Sequence, residues 1–237
     1  MTVMARVPRH LIVENGSLFH VTWQCHNKTW LLKSPGIKKF YYQLLLRFKD
    51  RYGLVFYSYI FMENHIHLSG RLSDLYKFSA FFRIVNSLFA KEVNKRSRRC
   101  GQVVRDRFKS PHLETERDLI QEMIYHDLNE VRAGKSKHPE NNEWSSYAHY
   151  AYGREDPLIT DPEIYHGMGN TSQERQRAYR GMVEEILATA PRKKDGRYTQ
   201  ELFIGDPHWV AKKNEELKKL NAQLNRIRLY HSLAPPL

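Results

Sequence analysis

Cysteine is nearly missing from this sequence of 237 residues. Only Cys25 and Cys100 occur, and no Cys-x-x-Cys spacing is found. That excludes a disulfide framework and makes a reducing, cytoplasmic compartment the expectation. Long apolar runs are missing too. The longest, Leu54 to Met62, is far short of the roughly 20 residues a membrane helix needs, so no membrane association is expected. Met1 to His10 holds no apolar centre and does not read as a secretory signal. Neither a Walker-type glycine loop, nor a repeat, nor a low-complexity tract is visible. Acid is scarce: 26 Asp and Glu stand against 38 Lys and Arg, a formal charge of +12. What is present is packing material, with 41% hydrophobic and 12% aromatic residues, too much for a disordered chain. A folded, strongly basic protein selects a polyanion as partner, nucleic acid first.

Periodicity supplies an α+β reading. Ser17 to Cys25 has strand character. Pro35 opens a helix whose Ile37, Phe40, Leu44 and Phe48 fall at helical spacing, and Gly53 ends it. Leu54 to Met62 and His65 to Arg71 read as strands joined tightly at Glu63-Asn64. Ser73-Asp74 caps a helix with Leu75, Phe78, Phe82, Val85 and Phe89 on one face. Gly101 to His112 reads as a hairpin or fourth strand, and Thr115 to Val131 as a helix stopped by Gly134. The order is β-α-β-β-α-β, the ferredoxin-like order of an antiparallel sheet with a further helix. Pro139 to Asn142 reads as a polar linker. A soft boundary is set near residue 155, giving a domain over 1–155 and a helical, basic extension over 156–237. That extension includes an Arg192–Arg197 turn and a long helix from Pro207 to about Tyr230. In it Val210, Leu217, Leu220, Leu224 and Ile227 lie close to a heptad seam.

Two clusters carry chemistry. Between Lys91 and Lys109 eight Lys or Arg stand against Glu92 and Asp106, half of the net charge. Lys95, Arg96, Arg98, Arg99, Arg105, Arg107 and Lys109 are the candidate phosphate contacts. The second cluster begins with His65 and His67, which share one strand face and can converge on a divalent metal; both are expected at the surface of the sheet. Half-buried structural histidines would show the same spacing. Tyr125 and Asn129, four apart, share a helix face. A phenol beside a metal can attack a phosphate, and an amide oxygen suits a hard cation. Packing and capping are the ordinary uses of such residues.

The run Met62-Glu-Asn-His-Ile-His-Leu68 resembles the His-hydrophobe-His strand of the IS200/IS605-type single-tyrosine (HUH) transposases, above all their REP-associated relatives. Four further blocks agree in order: Phe19-His-Val-Thr22, Val104 to Ser110, Ile124 to Gly134 and Trp144-Ser-Ser-Tyr147. Together they span roughly residues 5–153. Glu63 and Glu130 depart from the family pattern, which has proline at both positions; neither position is a ligand or nucleophile there. The resemblance implies a metal-dependent endonuclease and strand transferase acting on single-stranded or hairpin DNA. It implies Mg²⁺ or Mn²⁺ on His65, His67 and Asn129, with Glu122 the second candidate for the third ligand and His126 a poorer one. Tyr125 is implied as the nucleophile that forms a 5′-phosphotyrosine. The competing reading is a non-catalytic RRM-like nucleic-acid-binding protein derived from a transposase, stacking bases on Tyr57 and Tyr59. Monomer and homodimer both stay open.

Overall fold

The structure is a computed structural model that describes residues 7–189 and 195–233. Expectations placed on Met1 to Arg6 and on 190–194 lie outside the described residues, as does the side chain of Ile227. The elements are β1 Leu18–Gln24, α1 Pro35–Phe48, β2 Leu54–Phe61, β3 His65–Leu72, α2 Leu75–Arg96, β4 His112–Leu113, α3 Glu116–Asp127 and α4 Asn129–Arg132. After them come α5 Tyr147–Tyr152, α6 Glu163–His166, α7 Ser172–Thr189, α8 Arg197–Gln200, β5 Phe203–Ile204 and α9 Pro207–Leu233. The sheet runs β2-β3-β1-β4-β5. The first four strands pair antiparallel, and β5 joins β4 in parallel.

The two faces of this sheet differ in chemistry, and strand alternation is the cause. Phe19, Val21 and Trp23 of β1 and Ile66 and Leu68 of β3 are buried on one face. They meet α1 and α2 through ring contacts such as Phe19–Phe78 at 4.9 Å and Trp23–Tyr41 at 5.4 Å. The opposite face carries His20, Thr22, His65, His67 and Ser69, with Thr22 facing His67 and His20 facing Ser69. A bulge in β2 sharpens the division. Phe56 and Ser58 are two apart and would share a face in a regular strand. The register shift between them instead sends Phe56 to Phe81 of α2, ring centroids 5.8 Å apart, and Ser58 to His126 of α3, 2.8 Å away. One inserted residue thus assigns each side chain its proper face.

Local signals explain most boundaries. Asp74 accepts from the backbone N–H of Tyr76 and Lys77, starting α2. Thr115 and Asp118 form a reciprocal capping box at the start of α3. Gly53, at φ +62°, and Gly134, at φ +70°, supply left-handed turns. Three expectations need correction. The helix expected over Thr115 to Val131 is broken at Leu128, whose ψ of 2° separates α3 from α4. The fourth strand shrinks to His112–Leu113, with only isolated bridges at Lys109 and Val104. Pro139 to Asn142 is no linker, because Pro139 and Asn142 are buried. The chain beyond residue 155 packs on the same core: Tyr59 and Tyr42 both donate to Asp156, and Phe203 and Ile204 extend the sheet. Among the described residues no helix is long and apolar enough to cross a membrane.

Gly70 marks the tightest strand contact. A Cβ built there would stand 2.0 Å from the Val55 carbonyl oxygen and 2.9 Å from the Phe19 ring. Gly70→Ala must therefore push β2 from β3 or displace the core ring. A loss of about 3 kcal/mol, the upper end for overpacking, is expected in urea unfolding. Full stability in that variant would contradict this strand spacing.

Candidate active site

An open cavity of about 590 Å³ lies beside the start of β3. His65, His67, Tyr125, Asn129 and Arg132 line it, with Thr22 and Gln24 of β1 and with Arg105, Arg107 and Lys109 from the segment before β4. The structure thus brings together the two strand histidines, the helix tyrosine, the amide four residues on and three of the seven candidate phosphate contacts. It does not bring Lys95, Arg96, Arg98 or Arg99 to that cavity. Arg96 pairs with Glu92 and reaches Gly36, and Arg99 donates to the Gln102 carbonyl.

The expectation that both histidines sit at the surface of the sheet is corrected. His65 is half-buried and His67 is 3% exposed, because α3 and the side chains around it cover that face. Each imidazole has its Nδ1 engaged. His65 Nδ1 lies 2.7 Å from Asn64 Oδ1, and His67 Nδ1 lies 2.8 Å from His20 Nε2. An amide oxygen only accepts, so His65 donates from Nδ1 and keeps a lone pair on Nε2. Burial holds both imidazoles neutral, His65 down to about 4 and His67 well below its usual value. The Asn129 Nδ2 is buried without a hydrogen-bond partner. Amide O and N are interchangeable by a flip, so that orphaned end can present Oδ1 to a cation. Two neutral imidazoles and an amide oxygen are donors that a divalent first-row ion accepts.

Tyr125 is half-buried in a stack. Its ring lies 4.3 Å from that of Tyr198 in α8, and the Arg132 guanidinium sits 3.7 Å from its centroid. Burial raises the phenol above its ordinary value while the Arg132 charge pulls it down. Burial lowers Arg132 itself to about 10, so it is a cation at neutral pH. Tyr147 and Tyr150, the sequence neighbours that could replace Tyr125, are fully buried, and the Tyr150 hydroxyl donates to the Tyr57 carbonyl at 2.6 Å. Neither can meet a phosphate. The base-stacking platform of the competing reading also fails. Tyr57 and Tyr59 are 7% and 3% exposed, because backbone at Ser145 and Ile159 bridges to β2.

Behind His67 stands a group the sequence reading did not assemble. Ligand nitrogens of His20, His67 and His126 all lie within 4.8 Å of one another. Glu122, the second candidate for the third ligand, does not line the cavity. It is fully buried, with Oε1 3.0 Å from His20 Nδ1 and 3.4 Å from His126 Nε2. His126 Nδ1 meets Ser58, and Ser58 meets Ser69 at 2.6 Å. Burial drives the Glu122 carboxyl well up, His126 well down and His20 down to about 3. The histidine of Phe19-His-Val-Thr22 stands 47 or more residues before its partners, and only strand pairing puts it against His67. Tyr198, 73 residues past Tyr125, carried no local signal.

The architecture is an α+β fold with a five-stranded mixed sheet. No protein-family model and no curated protein matches the chain. Among solved structures it is similar to that of a REP-associated tyrosine transposase bound to a REP hairpin. The TM-score is 0.54 at 16% identity, over 67% of this chain and 93% of that one. The likeness is one of fold.

The buried imidazoles fix a pH dependence for the metal-free protein. His20, His65, His67 and His126 all titrate in the fold below the ordinary imidazole value of about 6.5. Below that pH the unfolded chain takes up protons that the fold refuses, so stability present above pH 6.5 is lost as pH falls. Glu122 and Asp127, the latter raised to about 8, act in the opposite sense, holding protons that the unfolded chain releases above its carboxylate range. Four histidines outweigh two carboxyls between about pH 5 and 6.5. There the unfolding free energy from urea titration in EDTA should climb with pH, by about 1.4 kcal/mol per net proton and pH unit. Above that window the carboxyls remain and it should decline. A flat profile would contradict the buried cluster.

Proposed function

We propose that this chain is a metal-dependent endonuclease and strand transferase for single-stranded or hairpin DNA, with Tyr125 as its nucleophile. The observation that carries this reading is the shared cavity: Tyr125, His65, His67 and Asn129 face one space rimmed by Arg105, Arg107 and Lys109. The solved structure of similar fold holds a REP hairpin, which supports hairpin DNA as the substrate class here.

A strand enters the cavity along the cationic rim, where Arg105, Arg107 and Lys109 meet its phosphates. Tyr198 and Arg132 hold the Tyr125 ring between them, so the phenol oxygen is presented in one orientation. The Arg132 charge favours loss of the phenol proton to solvent. The oxygen then attacks the phosphorus, a tyrosine–phosphate bond forms and the bond to the 3′ oxygen breaks. That oxygen takes up a proton and leaves as a 3′-hydroxyl. The phosphodiester is conserved in the covalent link, so a second 3′-hydroxyl can reverse the step and join new ends without ATP. A divalent ion on His65, His67 and Asn129 would supply positive charge for the phosphate in the transition state.

Wild type with a single-stranded hairpin and Mn²⁺ should give a denaturant-resistant protein–DNA adduct, and peptide mapping should place it on Tyr125. Tyr125→Phe keeps the ring stack and should bind the same DNA with no adduct. His65→Ala should lose the adduct at unchanged fold. An adduct on another tyrosine would move the active site, and DNA binding with no adduct on any hairpin would favour a binding-only protein.

The cationic rim makes a separate expectation. Arg105→Ala should weaken binding of single-stranded DNA and flatten the log–log salt dependence by about 0.7 per lost phosphate contact. Arg98→Ala, outside the cavity, should change the slope less. The reverse ranking would place the DNA path along the end of α2.

A further inference from the structure

The loop between β1 and α1 carries a ring that the chemistry above does not use. Trp30 is 62% exposed, against 3% for Trp23 of β1. A single exposed apolar side chain is ordinary, and this one is singled out by what surrounds it. The Lys33 and Lys135 ammonium groups stand 5.7 Å and 5.8 Å from its ring centroid. Both distances lie near the ~6 Å limit of a cation–π contact, so the lysines flank the indole and leave most of it open. Lys135 also pairs with Glu63. Three hydrogen bonds tie the loop to the β2–β3 turn. Cys25 N–H donates to the Asn64 carbonyl at 2.8 Å, Leu32 N–H to the Glu63 carbonyl at 2.9 Å, and the Asn64 side-chain amide to the Lys28 carbonyl at 3.2 Å. Met62 and His65, on either side of that turn, line the cavity, as does Ala133, two residues before Lys135. At the start of the loop His26, Asn27 and Lys28 line a hollow with Arg105, which the cavity shares. The loop thus borders the cavity beside His65, among basic side chains from Arg105 to Lys135.

We propose that Trp30 is a stacking platform for one unpaired base of the DNA strand that occupies the cavity, with Lys33 and Lys135 meeting the phosphates beside that base. This rests on single-stranded DNA being the substrate. The groups present match a nucleotide in kind. An indole face accepts any base, because every base has a π-face, and ammonium groups take phosphate charge. An apolar peptide laid on the same ring would have to bury two ammonium groups with nothing to balance them. Trp30 offers the open ring that Tyr57 and Tyr59, covered at Ser145 and Ile159, do not. Stacking is tolerant of sequence, so this contact does not choose the strand. It anchors the strand beside His65 and limits how far the phosphates slide past Tyr125. The platform therefore helps to set which phosphate meets the phenol.

Photo-cross-linking of wild type in EDTA reads the contact without any strand being cut. A DNA hairpin with a single-stranded flank, carrying 5-iodouracil at one flank position per sample, should cross-link at one position, and peptide mapping should place the link on Trp30. Affinity in the same buffer gives the second readout. Trp30→Ala should bind that DNA about 5- to 150-fold more weakly, the range for loss of one base–aromatic stack, with the log–log salt slope close to that of wild type. Trp30→Phe keeps a π-face and should recover most of the loss. Lys33→Ala should instead flatten the slope by about 0.7. Deleting the base at the cross-linked position should weaken wild type by a similar factor and Trp30→Ala hardly further, a pattern that misfolding of the variant does not produce. Wild-type affinity in Trp30→Ala, or bound DNA with every cross-link elsewhere, would overturn the platform and leave the single-stranded substrate standing. No binding of any single strand by wild type would overturn both.

Discussion

A polar layer sealed between α3 and one face of the sheet governs this structure. Strands normally turn apolar side chains to a covering helix, and here the α1 and α2 face does so with phenylalanines. The α3 face instead buries His20, His67, Ser58 and Ser69 against Glu122 and His126. Hydrogen bonds tie His20 to His67, and Ser58 to Ser69 and His126, while both Glu122 oxygens are left without a hydrogen-bond partner, and an unpaired buried polar group costs roughly 1–3 kcal/mol. Those bonds join β1 to β3, β2 to β3 and β2 to α3, and so couple the strand register, the bulge in β2 and the rotation of α3. It is the same rotation that points Tyr125 and Asn129 at the cavity. The geometry of the reacting groups is thus coupled to the polar layer behind them.

The α8 turn adds a second constraint from far along the chain. Tyr198 lies on the Tyr125 ring, and Lys109 reaches the Thr199 carbonyl. A segment that the sequence placed in a separate extension therefore forms one wall of the cavity. Tyr125 is held on one side by a ring and on the other by a guanidinium, which restricts its rotamers more than packing on α3 alone would.

Much of this was legible in the residues. Alternation in His65 to Arg71 put both histidines on one face, helical spacing matched Tyr125 with Asn129, and the capping residues marked α2 and α3. Those are local signals of period two, four or a single turn. The missing parts depend on pairing across distance. His20 meets His67 only through strand register, and Glu122 and His126 meet them only through the packing angle of α3. The bulge at Tyr57 reverses the face of Phe56 relative to Ser58 and cannot be seen in an apolar run. Tyr57 and Tyr59 looked like surface rings because nothing in the sequence shows that Ser145 and Ile159 cover β2. The break at Leu128 has no proline or glycine to announce it. Of the cationic run, Arg105, Arg107 and Lys109 reach the cavity because they follow the turn toward β4, whereas Arg96 turns to Glu92 and Gly36 and Arg99 to the Gln102 carbonyl.

The account turns on which nitrogens face a metal, and the cluster behind them offers a rival location. Anomalous diffraction from crystals soaked in Mn²⁺ decides between the two directly. One peak within bonding distance of His65 Nε2, His67 Nε2 and the Asn129 side chain, on the Tyr125 side of the sheet, is predicted. A peak among His20, Glu122 and His126 instead would contradict the active-site assignment.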